Sequence, residues 1–260
     1  DDVVDADTCK AIIAATSDVI ERGGVYPQFA DVLHGISSTQ LAPVHAREPW
    51  RLEALLRARE HVRAVVQRYF NVSRLFTDAS HITRRNARSD DAPRTWEWHE
   101  GQDHGVHADN CQNQNNGKCP FLPYHCCFWR DFSAILMLNG GEDGDDFGGS
   151  EFFFRDPDEF DADNDPRYDV RRGVDTLIPS RCGRLVAFTS GLRNLHGVRR
   201  TTGQGHRYAL ASWLTVNEKQ QEWQRGHHLG AQWNDALEVL LRDRGAQLVE
   251  EEYRARRFQM

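Results

Sequence analysis

Short strand-like runs separated by turn residues fill the middle of this chain, and they constrain its fold more than any other feature. Apolar or alternating runs lie at 95–99, 133–138, 151–154, 185–188 and 208–216, with Gly, Pro, Asn and Asp between them. Because no helical pattern stands between these runs, the strands are expected to pair in an antiparallel way. The pattern predicts an antiparallel sandwich or barrel. We interpret it as a mainly β protein with flanking helices, whose core is a double-stranded β-helix, the cupin-like jelly roll.

Helical patterns flank this region on both sides. An apolar stripe predicts a helix over 9–22 capped by Asp7 or Thr8, and a second stripe predicts a support helix over 49–70. The proline-containing stretch between the two helices is expected to be irregular, with room for a short strand. The sequence therefore predicts a single domain made of N-terminal support helices at 1–75, a jelly-roll core at 76–216 and a C-terminal helical tail at 217–260.

The composition is that of a folded, acidic domain. The chain has 260 residues, of which 39% are hydrophobic, and its length is sufficient for a substantial core. A formal net charge of −7 argues against a nucleic-acid-binding groove. No apolar run approaches the roughly 18 residues that a membrane-spanning helix needs, so no membrane span is expected.

Six cysteines and one glycosylation sequon favour the secretory pathway. A disulfide between Cys111 and Cys119 would close the polar loop between them, and this pairing stays open. Zinc binding by these two cysteines together with His125 and Cys126 is a weaker alternative, because the spacings match no standard closed site. The sequon begins at Asn71 and adds little, since such triplets also arise by chance.

One His-x-Asp pair stands out as a candidate metal site. His107 and Asp109 are two positions apart, so both side chains leave the same face of an extended segment. A further histidine, His196, would complete the 2-His-1-carboxylate triad of non-haem Fe(II) oxygenases, which leaves three coordination positions open. His104 is a rival ligand, because it lies on the segment that leads into the pair.

A basic residue at the head of the last strand-like run extends this interpretation. Arg207 shares one face of the strand with Ala209, Ala211 and Trp213. A guanidinium can hold a carboxylate through two parallel hydrogen bonds, and 2-oxoglutarate carries a carboxylate at its far end. Arg207 and Trp213 are therefore the predicted binding residues for 2-oxoglutarate, which with dioxygen would be the co-substrate.

Other polar groups are expected to have no catalytic role. His125 and His206 are interpreted as ordinary polar residues, with His206 on the opposite face from Arg207, and His81 is interpreted as structural. The acidic stretch at 156–169 is expected to be a solvated loop, because Pro166 stands where a calcium-binding EF-hand loop needs glycine.

Several blocks of the sequence resemble the catalytic domain of the collagen prolyl 3-hydroxylases, the leprecan family. The similarity is dense from about residue 100 to residue 216 and is carried by residues 107–111, 128–139, 147–154, 182–186, 188–191 and 194–198. Met137 departs from the family pattern, because relatives usually carry a tyrosine there that helps to hold the co-substrate.

The resemblance implies an Fe(II)- and 2-oxoglutarate-dependent dioxygenase with ascorbate dependence and residence in the endoplasmic reticulum lumen. By this resemblance His107, Asp109 and His196 bind the iron, and Arg207 pairs with the distal carboxylate of 2-oxoglutarate. The expected reaction is hydroxylation of peptidyl proline, at C3 in collagen-like sequences. A prolyl 4- or lysyl hydroxylase of the same superfamily is one alternative, and a non-catalytic collagen-binding or chaperone subunit is another. A partner subunit is left open.

Overall fold

The computed structural model describes residues 1–22, 33–37, 40–41, 49–87, 102–110, 129–140, 144, 146–155 and 175–222. Two α-helices lie in this part of the chain, α1 (Ala6–Thr16) and α2 (Glu53–Tyr69). Short 3-10 turns occur at Ile20–Arg22, Pro49–Leu52, Leu192–Asn194 and Glu218–Gln220. None of the described helices is long and apolar enough to cross a membrane.

The described strands form antiparallel sheets. They are β1 (Leu33–Ser37), β2 (Phe76–Asn86), β3 (Gln102–His107), β4 (Phe132–Met137), β5 (Phe147–Gly149), β6 (Phe152–Arg155), β7 (Asp175–Ile178), β8 (Leu185–Thr189), β9 (His196–Arg199), β10 (Thr201–Gly203) and β11 (His206–Thr215). A five-stranded sheet has the order β1-β2-β11-β4-β8, and a four-stranded sheet has the order β3-β9-β6-β7. β5 pairs with β10 as a separate ribbon. The predicted mainly β, jelly-roll fold is confirmed.

The central strands of the five-stranded sheet are buried on both faces. In β4, Ala134 and Leu136 belong to one apolar cluster, whereas Met137 belongs to a second cluster on the other side of the strand. The run 134–138 is therefore continuously apolar instead of alternating, because both of its faces are covered. β11 lies between β2 and β4, and all of its residues after His206 are buried.

Helix α2 covers the outer face of this sheet. Its buried stripe includes Leu55, Val62 and Val66, which pack with Leu136 and Leu210 of the sheet in one core cluster. The helix begins directly after the 3-10 turn that starts at Pro49, since proline is well tolerated at a helix start. The support helix predicted over 49–70 is confirmed, apart from this first turn.

The first helix begins earlier than the sequence predicted. Asp5, and not Asp7 or Thr8, is the N-cap, and its carboxylate accepts a hydrogen bond of 2.7 Å from the backbone N–H of Thr8. Three acceptor residues stand within four positions here, and propensity alone does not choose among them. The helix ends at Thr16, whose hydroxyl donates to the carbonyl of Ile12. Because the helix covers Ala6–Thr16, the predicted extent of 9–22 is wrong at both ends.

The remaining predictions concern β1, β2 and segments that lie outside the described residues. Strand β1 lies in the stretch that was expected to be irregular with room for a strand. The eleven-residue strand β2 was not predicted as a unit, although it pairs with both β1 and β11. The expected strand at 95–99, the cysteines 111, 119, 126 and 127, and the acidic loop at 156–169 lie outside the described residues. So does the tail beyond 222.

Candidate metal centre and adjoining cavity

The three predicted metal ligands come together at one end of the four-stranded sheet. His107 is the last residue of β3 and is the register partner of His196, the first residue of β9. Asp109 follows in the turn after β3. One ligand atom from each residue can be chosen so that all three lie within 4.8 Å of one another. The antiparallel pairing of β3 with β9 therefore brings together two residues that are far apart in sequence.

The distances within this cluster suit a shared cation. Asp109 Oδ1 lies 3.5 Å from His107 Nε2, and Asp109 Oδ2 lies 3.4 Å from His196 Nε2. The two imidazole rings are tilted, with centroids 4.4 Å apart. Two imidazole nitrogens and one carboxylate form the donor set of non-haem Fe(II) centres. Each carboxylate oxygen thus faces one imidazole nitrogen, and the three groups fit an Fe(II) ion.

Neighbouring backbone and hydroxyl groups orient the ligands. The carbonyl of Asn194 lies 2.8 Å from His196 Nδ1, so this nitrogen carries the proton and donates it. Nε2 of the same ring is thereby left as the acceptor that faces Asp109. The Ser133 hydroxyl hydrogen-bonds the Asp109 carboxylate and lies 2.7 Å from the hydroxyl of Ser190. Strand β4 of the other sheet therefore supports the carboxylate.

Burial and charge leave the ligands in the forms that bind a metal. Burial works to raise the pKa of Asp109, but the positive charge of His196 when it is protonated, the contact with His107 and a hydrogen bond from Ser133 outweigh burial and hold this pKa below its usual range. Burial lowers the pKa of His196 to about 4. At neutral pH Asp109 is therefore ionised and His196 is neutral, as coordination requires.

Aromatic rings enclose one side of the centre. The Phe152 ring stacks on His196 at an interplanar angle of 20°, with centroids 5.2 Å apart. Phe188 approaches the same imidazole to 4.6 Å. With Met137, Val186 and Val198 they form a small apolar cluster. This cluster keeps water from that side of His196 and fixes the orientation of its ring.

A cavity extends from the metal centre across the inner face of the five-stranded sheet. Its lining includes the three predicted ligands and, from β11, Arg207, Ala209, Ala211 and Trp213. The predicted face of β11 therefore points into the cavity. Arg207 is 2% exposed and Trp213 is 8% exposed, so both polar groups are buried. The indole N–H of Trp213 has no hydrogen-bond partner among the described residues.

The Trp213 ring is held between charged and aromatic neighbours. The Arg130 guanidinium lies over it, 4.4 Å from the ring centroid, and His81 meets it edge-on at 4.8 Å. Arg130 is fixed in turn by Asp78, whose other carboxylate oxygen accepts a 2.8 Å hydrogen bond from the Trp129 indole. The cation–π contact and the buried carboxylate together hold this wall of the cavity in one position.

The structure also locates the residues that were interpreted as secondary. His206 is exposed and lies on the opposite face of β11 from Arg207, and the half-buried His81 packs against Trp213. Met137 is fully buried on the inner face, opposite Ala209. His104 pairs with Val198 in register, but its side chain lies outside the described part of the chain, as does His125.

Two polar side chains near the candidate ligands, those of Arg85 and Ser133, were not predicted from the sequence. Arg85 lines the cavity from β2, and Ser133 supports Asp109 from β4. Arg85 follows another arginine near the end of a strand that was not predicted as a unit. The register between β2 and β11 cannot be read from one sequence, so nothing there distinguished Arg85 from Arg84.

Comparison with known proteins agrees with this geometry. Residues 94–215 match the model of the 2OG-Fe(II) oxygenase superfamily. Human Prolyl 3-hydroxylase 3 is 34% identical over 192 residues, which cover 72% of this chain and 23% of that protein. Human Prolyl 3-hydroxylase 1 is 35% identical over 175 residues, which cover 64% of this chain and 20% of that protein. The chain thus spans less than a quarter of the length of these curated relatives.

A solved structure supports the fold. The non-heme alpha ketoglutarate dependent epimerase SnoN from nogalamycin biosynthesis superposes with a TM-score of 0.50, at 13% identity, over 82% of this chain and 75% of that chain. At this identity the similarity concerns the fold alone. The family match over residues 94–215, the antiparallel double-sheet core and the His-Asp-His cluster agree with one another, so this part of the chain is similar to the 2OG-Fe(II) oxygenase superfamily.

Proposed function

We propose that the chain is an Fe(II)- and 2-oxoglutarate-dependent hydroxylase of peptidyl proline. The observation that carries this proposal is the convergence of His107, Asp109, His196 and Arg207 on one cavity between the two sheets. A metal-binding face and a buried guanidinium in the same cavity match the two ends of an α-keto dicarboxylate.

In this proposal the triad holds the metal through Nε2 of His107, Nε2 of His196 and the carboxylate of Asp109. When bound, Fe(II) supplies the redox chemistry that couples the oxidative decarboxylation of 2-oxoglutarate to hydroxylation of the substrate. The Asn194 carbonyl keeps the His196 proton on Nδ1, and the Ser133 hydroxyl orients Asp109. The protein thus keeps all three ligands aimed at one point before the metal arrives.

The co-substrate would lie along the inner face of β11. Arg207 binds its distal carboxylate, while Ala209 and Ala211 leave space for the carbon chain and Trp213 forms the wall near the metal end. The buried indole N–H of Trp213 provides one further donor to the co-substrate, because a buried donor gains most from a partner. Along β11 these residues thus follow the co-substrate from its distal carboxylate at Arg207 to its metal-bound end near Trp213.

For the acceptor substrate, we propose proline in collagen-like peptides, hydroxylated at C3. Support comes from the relatives, which are named Prolyl 3-hydroxylases and are 34–35% identical over the catalytic region. The reaction consumes one dioxygen and one 2-oxoglutarate for each proline, and it yields hydroxyproline, succinate and carbon dioxide. Hydroxylation at C4, or of lysine, uses the same metal and co-substrate groups and is the alternative that product analysis distinguishes.

The setting of the enzyme is also proposed from the relatives. We infer residence in the endoplasmic reticulum lumen or elsewhere in the secretory pathway, and a requirement for ascorbate as the reductant that maintains Fe(II). The measured effect of ascorbate on repeated turnover, compared with a single turnover, tests the reductant proposal directly.

The deciding experiment measures succinate from labelled 2-oxoglutarate in the presence of Fe(II) and ascorbate, with and without collagen-like proline peptides. We expect peptide-stimulated succinate release and a 16 Da increase per modified peptide, since each hydroxylation adds one oxygen atom. Fragmentation and comparison with 3- and 4-hydroxyproline standards then locate the hydroxyl group. Absence of turnover with every proline and lysine peptide, alongside retained peptide binding, would favour the non-catalytic collagen-binding subunit instead.

A further inference from the structure

A second arginine lies beside Arg207 in the cavity. In the antiparallel pairing of β2 with β11, Arg85 is the direct register partner of Arg207, and Thr83 is the partner of Ala209. Directly opposed residues point to the same face of a sheet, with Cβ atoms about 4.5–5.5 Å apart. Both arginines line the cavity that reaches the metal centre.

Both guanidinium groups are deeply buried. Arg85 is 4% exposed and Arg207 is 2% exposed, and Leu33 of β1 lies on the far side of Arg85 in register. Asp109 is the one acid among the described residues that line this cavity, and it is already assigned to the metal. An anion that entered the other end of the cavity would therefore meet two cationic side chains.

The strand pairing separates this arginine pair from the metal end of the cavity. Along β11, Arg207, Ala209, Ala211 and Trp213 occupy four successive rows. The last row also contains Ser133, the register partner of Trp213, which bonds to the metal-binding Asp109. The two arginines thus line the same cavity as the three proposed metal ligands, at the end away from Ser133.

We propose that Arg85 is a second anchor for the distal carboxylate of 2-oxoglutarate, and that it makes this site selective for dicarboxylates. A carboxylate offers about four lone-pair positions, and two guanidinium forks can fill them all, whereas one fork fills two. Arg85 approaches from β2 and Arg207 from β11, so the forks reach the two oxygens from different sides. This inference rests on the proposed function, because it names a further binding residue for the same co-substrate.

The test compares two keto acids that differ only at the far end. 2-Oxopentanoate keeps the keto acid and the chain length of 2-oxoglutarate but ends in a methyl group. Dissociation constants for both are measured calorimetrically with the Mn(II)-loaded protein, without turnover. The variants are Arg85→Met and Arg207→Met, with Arg84→Met as the matched control, since Arg84 lies on the opposite face and pairs with Glu21 at 2.7 Å.

We expect Arg85→Met to weaken 2-oxoglutarate binding by about 10- to 100-fold, the range for a lost charge-assisted hydrogen bond, and to change 2-oxopentanoate binding by less than about threefold. Arg84→Met should leave both constants close to wild type. Arg85→Lys keeps the charge but not the fork, so it should lie between wild type and Arg85→Met; it also serves as the test if the methionine variant does not fold.

The outcomes separate this inference from the proposed function. Equal losses for both keto acids, or wild-type binding of 2-oxoglutarate by the folded Arg85 variants, would overturn the role of Arg85. If wild type and Arg207→Met also bind the two keto acids equally, the co-substrate assignment itself fails. If Arg207→Met loses selectivity while Arg85→Met keeps it, the proposed function stands and only the second anchor is excluded.

Discussion

The two faces of the five-stranded sheet use the same strands for different purposes. On the outer face, Leu136 of β4, Leu210 of β11 and Ile82 of β2 pack beneath helix α2 in one apolar core. On the inner face, Arg207 and Ala209 line the cavity that reaches the candidate metal centre. One step along β11 therefore separates a side chain that stabilises the fold from one assigned to the co-substrate.

The two faces differ in the free energy that is gained or lost when their side chains are buried. The outer face consists of large apolar side chains, which gain free energy from leaving water. The inner face instead borders a cavity that contains two buried arginines and the ionised Asp109 from the turn after β3. It also buries the Trp213 indole N–H, which has no hydrogen-bond partner among the described residues. Burying these polar groups lowers the free energy of unfolding, so the apolar packing on the outer face must offset that loss. Substitutions on the two faces should therefore have separable effects.

The largest difference between the effect on activity and the effect on folding is expected for His196→Ala. This change would remove a proposed iron ligand, so succinate release should fall to background while the circular dichroism spectrum stays that of the wild type. His206→Ala is the matched control, because His206 is exposed on the other face of β11. Turnover at the wild-type rate by His196→Ala, measured with labelled 2-oxoglutarate, would show that the ligand set is wrong.

Arg207→Ala tests the end of the inner face of β11 that lies away from the candidate metal centre. Loss of one partner of a buried ion pair costs about 3–5 kcal/mol, so this variant should need far more 2-oxoglutarate for half-maximal rate. The rate at saturation should fall much less, because the metal ligands are unchanged. Steady-state kinetics with varied 2-oxoglutarate measures both parameters. A lower saturating rate with an unchanged requirement for 2-oxoglutarate would contradict the assignment of Arg207.

Leu210→Ala tests the outer face. Leu210 is 1% exposed and packs in the α2 core, so its truncation should lower the free energy of unfolding by about 2–5 kcal/mol. Urea titration measures the loss, and calorimetry should give an unchanged dissociation constant for 2-oxoglutarate. Val216→Ala is a suitable control, since Val216 is 50% exposed and should change stability little. A weakened co-substrate affinity in Leu210→Ala would mean that the faces are coupled.

His81→Phe has the smallest expected effect and depends on pH. Burial, together with the nearby Arg130 charge, lowers the pKa of His81 to about 3. The unfolded chain then takes up a proton near pH 6.5 that the native state does not bind. Stability from the neutral imidazole is therefore complete above pH 6.5 and is lost as the pH falls toward 3.

Between pH 7 and pH 5 this loss should amount to about 1–2 kcal/mol in the wild type. His81→Phe keeps a ring against Trp213 but cannot be protonated, so its unfolding free energy should fall less over the same interval. Urea titrations of both proteins at the two pH values provide the measurement. Identical pH dependence in the two proteins would show that His81 is not the group responsible.

The predictions from sequence were strongest where local spacing decides the outcome. His107 ends strand β3 while Asp109 lies in the turn that follows, so the extended segment predicted for the pair covers only His107; the alternation from Arg207 to Trp213 correctly gave the face of β11 that lines the cavity. The period of two along a strand is a local property, so it can be read from the sequence. The helix α1 boundary was less secure, because several capping residues compete within four positions.

Sequence alone thus determined the antiparallel β class, the candidate ligands and the inner face of β11. The tertiary structure decided which residues meet: His107 with His196 across β3 and β9, Ser133 with Asp109 between the two sheets, and Arg85 with Arg207 across β2 and β11. Strand register and sheet order set these pairs, and both depend on packing between distant segments. The alternation in a single sequence indicates on which face of its strand a side chain lies, but not which residue of another strand it contacts.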